Sequence, residues 1–237
     1  VEAYGEMVRY GAAAGADLIL IETMSDTYEI KAAVLASKEN CDLPICVTMT
    51  FDEDGKLLTG ATVEAAALMC EGLGVDAIGF NCGLGPVQVG KLFPQMLEAT
   101  SLPLIINPNA GLPVQRDGKT CFDVGPEKYA ELMYELAGKG ASIVGGCCGT
   151  TPQHIAALRT ALDALPEALP AAPAAMRPVS RSTKPEVSTT SAVRVHTTMV
   201  SANTSKMPHM PCCTGSFTLE AACTITCLLY TSPSPRD

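Results

Sequence analysis

Three cysteines are placed where they can act together. Cys82 lies in Asn81-Cys82-Gly83-Leu84-Gly85-Pro86, and an adjacent pair lies in Gly145-Gly146-Cys147-Cys148-Gly149-Thr150-Thr151-Pro152. Each follows a short apolar run and is flanked by glycine. Successive side chains on a regular strand point to opposite faces, so both thiols of the pair serve one site only if the strand stops and turns there. The glycines give the backbone that freedom. Three thiolates converging on one point hold zinc and leave a fourth position open, the layout of a catalytic site. Two other readings fit the same spacing: a vicinal disulfide, or a pair of core thiols without chemistry.

The chain has 11 cysteines, and the rest carry less signal. Cys46 and Cys70 fall inside apolar periodic segments and read as small buried hydrophobes. Cys41 and Cys121 fall in expected loops. Cys212-Cys213 is a second adjacent pair, but no strand precedes it. An odd count in a chain with ample apolar core does not fit a secreted disulfide framework. A reducing, cytoplasmic compartment is therefore expected.

Polar residues at the ends of the apolar runs are the next candidates. Glu22, in Ile21-Glu22-Thr23, has the carboxylate to hold an amino group, or to pair with a neighbouring loop. Asn109, in Pro108-Asn109-Ala110-Gly111, can bond a substrate's polar end or cap its own turn. Asn81 precedes a candidate ligand and can orient it from behind, or serve as a turn residue. His154, near the cysteine pair, is expected to be a surface or helix-start residue. Thr150 and Thr151 are helix N-cap candidates. Met24 and Met49 are expected in the core.

The elements that must position these residues alternate regularly. Nearly continuous apolar runs at 16–23, 43–51, 75–82, 102–110 and 141–148 read as strands buried on both faces, as in a parallel sheet. Helical patterns cover 2–14, 26–39, 62–71, 86–99, 126–139 and 152–165. Pro86, Pro126 and Pro152 each suit a first helical turn. The repeat predicts an α/β fold with right-handed crossovers, either an open doubly wound sheet or part of a βα barrel. No Gly-x-Gly-x-x-Gly follows the first strand, which disfavours a dinucleotide-binding sheet.

Composition sets the limits. Of 237 residues, 47% are hydrophobic, and the net charge of −9 argues against nucleic-acid and anionic-membrane partners. Residues 1–165 hold 19 of the 20 glycines and a net charge of −11. Residues 166–237 hold 29 Ser, Thr or Pro. A folded domain at 1–165, a linker at 166–195 and a disordered or artefactual tail at 196–237 are expected. The chain starts at Val1 rather than Met, as an internal fragment would.

The motifs Gly79-Phe80-Asn81-Cys82, Asn107-Pro108-Asn109-Ala110-Gly111 and Gly145 to Pro152 resemble the homocysteine S-methyltransferase family. Within it, Thr50-Phe51-Asp52-Glu53-Asp54-Gly55 and Gly83-Leu84-Gly85-Pro86 are most similar to the cobalamin-dependent methionine synthases. The resemblance covers about residues 1–165. It implies a (β/α)8 barrel, of which this chain carries the fourth to eighth strands. It implies zinc on Cys82, Cys147 and Cys148, with homocysteine held by Glu22 and Asn109. The methyl donor would be methylcobalamin fed by methyltetrahydrofolate, both bound by other domains of the full-length protein. S-methylmethionine or betaine as donor, a zinc or thiol redox module, and a phosphate site at Gly145-Gly146 remain alternatives. With three strands missing, the first and last strands would be open edges and the inner face bare. The fragment alone is therefore expected to fold poorly and to be inactive.

Overall fold

The computed structural model describes residues 1–164 and the backbone of 222–226. The linker expected at 166–195, and most of the tail expected at 196–237, lie outside the described residues. Helices are α1 (Glu2–Ala13), α2 (Thr27–Asn40), α3 (Val63–Gly72), α4 (Pro86–Ala99), α5 (Pro126–Gly138) and α6 (Pro152–Asp163). Strands are β1 (Leu18–Met24), β2 (Ile45–Met49), β3 (Ala77–Asn81), β4 (Leu104–Asn107), β5 (Pro113–Arg116), β6 (Lys119–Phe122), β7 (Ala141–Val144) and β8 (Ala222–Thr226). Helix starts follow local chemistry. Asp26 and Thr62 accept from the N–H groups of Glu29 and Ala65, and proline opens α4, α5 and α6.

The main sheet is parallel, in the order β7-β4-β3-β2-β1-β8. From β1 to β7 the spatial order follows the chain order. All six helices pack on one face of the sheet, joining Ile19, Ile21, Val47, Ile78, Phe80 and Ile106 in a single core. Met24 and Met49 are buried in it, as expected. The opposite face carries a separate small cluster of Leu20, Cys46, Ala77 and Ile105, with Leu18 and Ile143 against it. Helices on one face and strands in sequential order set this α/β sheet apart from a doubly wound one. The described sheet is open at β7 and β8.

Two expectations are corrected. The β1 edge is not bare, because β8 pairs with it over five residues from Leu18↔Ala222 to Glu22↔Thr226. An unpaired apolar strand offers a row of N–H and C=O groups, and a segment rich in Thr and Ile takes them up. The inner face is not bare either, for Leu20, Cys46, Ala77 and Ile105 are at most 8% exposed.

The loop expected between the fourth strand and α5 contains the hairpin β5–β6. Its signal is Arg116-Asp117-Gly118-Lys119, and Asp117 and Gly118 both take positive φ, 51° and 71°. That is the demand of a two-residue hairpin turn.

Candidate functional site

The strands β3, β4 and β7 lie side by side, and the chain leaving their carboxyl ends carries the cysteines. β3 ends at Asn81. Cys82 then turns the backbone with φ 57°, and its N–H donates to the Asn107 carbonyl at 3.2 Å. β7 stops at Val144, before the cysteine pair. The Cys147 N–H donates to the Pro108 carbonyl, and the Ala110 N–H to the Cys148 carbonyl, both at 2.9 Å. The Thr150 hydroxyl donates to the Cys147 carbonyl at 2.7 Å. Gly149 has φ 79°, and a Cβ there would run into the Phe122 ring of β6. Glycine is required by both backbone and space.

This stitching brings the three sulfurs within 4.8 Å of one another, with Cys82 Sγ and Cys148 Sγ 3.7 Å apart. All three are half-buried and free of disulfide bonds. A tetrahedral site with Zn–S bonds of ~2.3 Å separates ligand sulfurs by ~3.8 Å, so the donor set fits zinc. Its electrostatics point the same way. Hydrogen bonds from Cys147 and Cys148 push the Cys82 thiol down to about 3, helped by the Gly83 N–H and the Asn109 amide. Cys147 is pushed strongly up by its hydrogen bonds to Cys148 and Cys82, by burial and by their charge. Cys148 gains from the Cys147 hydrogen bond, but the hydrogen bond and charge of Cys82, with burial, raise it overall. One thiolate is stable alone, whereas the second and third meet like charge. A bound dication removes that opposition, because coordinated thiols are deprotonated outright.

The two buried asparagines reach different partners. Asn109 joins the thiols: its Oδ1 accepts from the Cys148 N–H at 3.0 Å, and its amide hydrogen-bonds Cys82. Asn81 turns to the end of β1 instead. Its Oδ1 accepts from the Thr23 N–H at 2.8 Å, and its Nδ2 donates to Thr23 Oγ1 at 2.7 Å. Thr23 has φ 61°, and directly before it stands Glu22. Alternation from Leu18 and Leu20 puts half-buried Glu22 on the inner face of the sheet.

Other residues at this end escaped the sequence. Thr48 Oγ1 and Asn107 Oδ1 are buried at the ends of β2 and β4 without a hydrogen-bond partner. Alternation from Cys46 and Ile105 puts both on the inner face. Tyr129 of α5 is fully buried, and its hydroxyl lies 3.1 Å from the Pro108 carbonyl and 2.8 Å from that of Gly145. His154 is not at the surface, being only 6% exposed. Its Nδ1 accepts from the Thr151 N–H and its Nε2 donates to the Val124 carbonyl at 2.9 Å. It caps α6 and ties it to the hairpin's exit, so the helix-start half of its expectation stands.

The homocysteine S-methyltransferase family model matches residues 1–162. Over 160 residues the chain is 38% identical to the methionine synthases of Mycobacterium leprae and Mycobacterium tuberculosis. Those matches cover 65% of this chain and 13% of each relative, so the chain spans a small part of their length. Among solved structures it is similar to the homocysteine methyltransferase MmuM from Escherichia coli. The apo form aligns at TM-score 0.55 and 26% identity, over 68% of this chain and 56% of that one. The metallated form aligns at the same TM-score and identity, over 67% and 51%.

Proposed function

The chain belongs to the homocysteine S-methyltransferase family, and we propose that it supplies the zinc and homocysteine site of an enzyme that methylates homocysteine to methionine. The observation that carries this is the convergence of three sulfurs within 4.8 Å at adjoining strand ends. A bound zinc supplies a Lewis acid that lowers the pKa of a thiol in its open position. Cys82, Cys147 and Cys148 would hold it, and their charge would keep the substrate sulfur electron-rich. Asn109 fixes the Cys148 backbone and the Cys82 sulfur. Glu22, on the inner face, takes the substrate's ammonium. The substrate thiol loses its proton to water, its sulfur attacks the donor's methyl carbon in line, and the donor leaves with the bonding electron pair.

The likeness to methionine synthases favours methylcobalamin as donor, regenerated from methyltetrahydrofolate, with cobalamin and folate domains elsewhere in a longer cytoplasmic protein. Closure of the sheet into an eight-stranded barrel belongs to that longer protein. No described helix is long and apolar enough to cross a membrane.

Metal analysis tests the proposal. The purified chain is expected to hold about one zinc, and Cys82→Ala, Cys147→Ala and Cys148→Ala each to release most of it. Full retention by Cys82→Ala would remove that residue from the site. In the full-length protein, methyl transfer from methylcobalamin, set beside S-methylmethionine and betaine, identifies the donor.

A further inference from the structure

Asn81 and Thr23 belong to strands that are not neighbours, since β2 lies between β1 and β3. Their side chains nevertheless meet in two hydrogen bonds, at 2.8 and 2.7 Å. The Thr23 N–H can donate only to the amide oxygen, which fixes the amide's orientation. Each clamp residue stands next to a residue of the proposed site, Glu22 before Thr23 and Cys82 after Asn81. Both clamped turns are left-handed at non-glycine residues, with φ 61° at Thr23 and 57° at Cys82. Such backbone persists only where surrounding contacts hold it. Beneath the clamp, β2 presents Thr48, whose buried hydroxyl has no partner, so the inner face between the two ends holds an unsatisfied polar group.

We propose that Asn81 is a positioning residue, setting the distance between the thiol cluster and Glu22 through its clamp on Thr23. The clamp is then a ruler matched to a substrate with a thiol at one end and an ammonium at the other. This rests on the assignment of Glu22 to the ammonium. The clamp touches neither sulfur nor substrate. Its loss leaves metal binding intact and removes only the advantage of a thiol that carries an amino group.

The test uses the full chain loaded with cobalt(II), whose thiolate charge-transfer absorption reports thiols entering the open position. Homocysteine is titrated against 2-mercaptoethanol, which has the thiol without the amino and carboxylate groups. Asn81→Ala and Thr23→Ala are each expected to bind one cobalt and to hold 2-mercaptoethanol unchanged. Homocysteine is expected to bind roughly 10- to 100-fold more weakly, the scale of a misplaced charge-assisted hydrogen bond. The double variant should be no worse than Asn81→Ala, which already removes both bonds, whereas Thr23→Ala removes only the one to its hydroxyl and leaves its N–H bonded to Asn81. Thr23→Ser, which keeps the hydroxyl, should restore homocysteine binding. Thr23→Ala also covers the case in which Asn81→Ala does not fold. Equal weakening of both thiols, or loss of cobalt, overturns the ruler. Unchanged homocysteine binding in both variants overturns it while leaving Glu22 in place. An unsubstituted chain that takes cobalt but does not prefer homocysteine overturns the role of Glu22, and the ruler with it.

Discussion

Two buried asparagines stand at neighbouring strand ends, Asn81 closing β3 and Asn109 two residues past β4. Both are less than 5% exposed. Asn109 spends its amide on the thiols, through the Cys148 N–H and Cys82. Asn81 spends its amide on Thr23, at the far side of β2. The site is thus held in two halves, a thiol half stitched by Asn109 and a carboxylate half reached by Asn81. Residue type and position are nearly the same. What differs is which partner lies within reach once the turn is made.

The largest effect expected separates the halves at the metal. Losing any one of Cys82, Cys147 or Cys148 should weaken zinc binding by more than the roughly 10- to 100-fold typical of residues behind the ligands. A competitive chelator titration measures it. Asn109→Ala should fall within that 10- to 100-fold range and keep the preference for homocysteine over 2-mercaptoethanol, the mirror image of Asn81→Ala. Should Asn109→Ala lose the preference as well, Asn109 touches substrate and the two halves merge.

The thiolate at Cys82 sharpens the comparison through pH. Its pKa is lowered to about 3, so it stays ionised as pH falls from 8 to 5. An ordinary thiol with a pKa of ~8.5 loses about tenfold in thiolate per pH unit over that range. Cys46, raised to about 11, and Cys70, raised to about 12, are both buried and protonated. In chelator-treated chain, iodoacetamide labelling at pH 5 followed by peptide mass spectrometry should find Cys82 first. Labelling spread evenly over the cysteines would mean that the three sulfurs do not share a proton network in solution.

Much of this was legible in the chain. Continuous apolar runs gave five of the strands because a parallel strand is covered on both sides, and α4 begins and ends where the pattern puts it, at Pro86 and Ala99. The cysteines could be paired with strand ends because glycines mark the turns. The partners of Asn81 and Asn109 could not be read. A side-chain amide bonds whatever backbone lies within ~3 Å, and that depends on strands far apart in sequence. Thr48 and Asn107 were hidden for a related reason, since a polar residue inside an apolar run declares neither its face nor its partner. The β5–β6 hairpin has a local turn signal in Asp117-Gly118, but its strands are mostly exposed and carry little apolar pattern. β8 had no comparable signal, because its pairing is set by an open edge some 200 residues earlier in the chain.

The smallest effect expected comes from Tyr129, which lies beneath the thiol half only. Its hydroxyl sits between the Pro108 carbonyl, one residue before Asn109, and the Gly145 carbonyl, two residues before Cys147. It therefore ties together the two segments that Asn109 joins from above. Tyr129→Phe keeps the ring, its fully buried packing and its edge-on contact with His154, and removes one hydrogen. A hydroxyl has a single proton, so the two carbonyls share one donor and the loss is that of about one hydrogen bond, ~1 kcal/mol. The midpoint of thermal unfolding should fall by a few degrees, roughly 2–4 °C for a domain of this size. Both segments remain joined by the backbone hydrogen bonds of Cys147 to Pro108 and Ala110 to Cys148, so zinc affinity should stay nearly unchanged. A loss of zinc affinity as large as that of Asn109→Ala would show that the thiol half is set from the helix layer below it. Asn109 would then be one of two supports rather than the one that places the sulfurs.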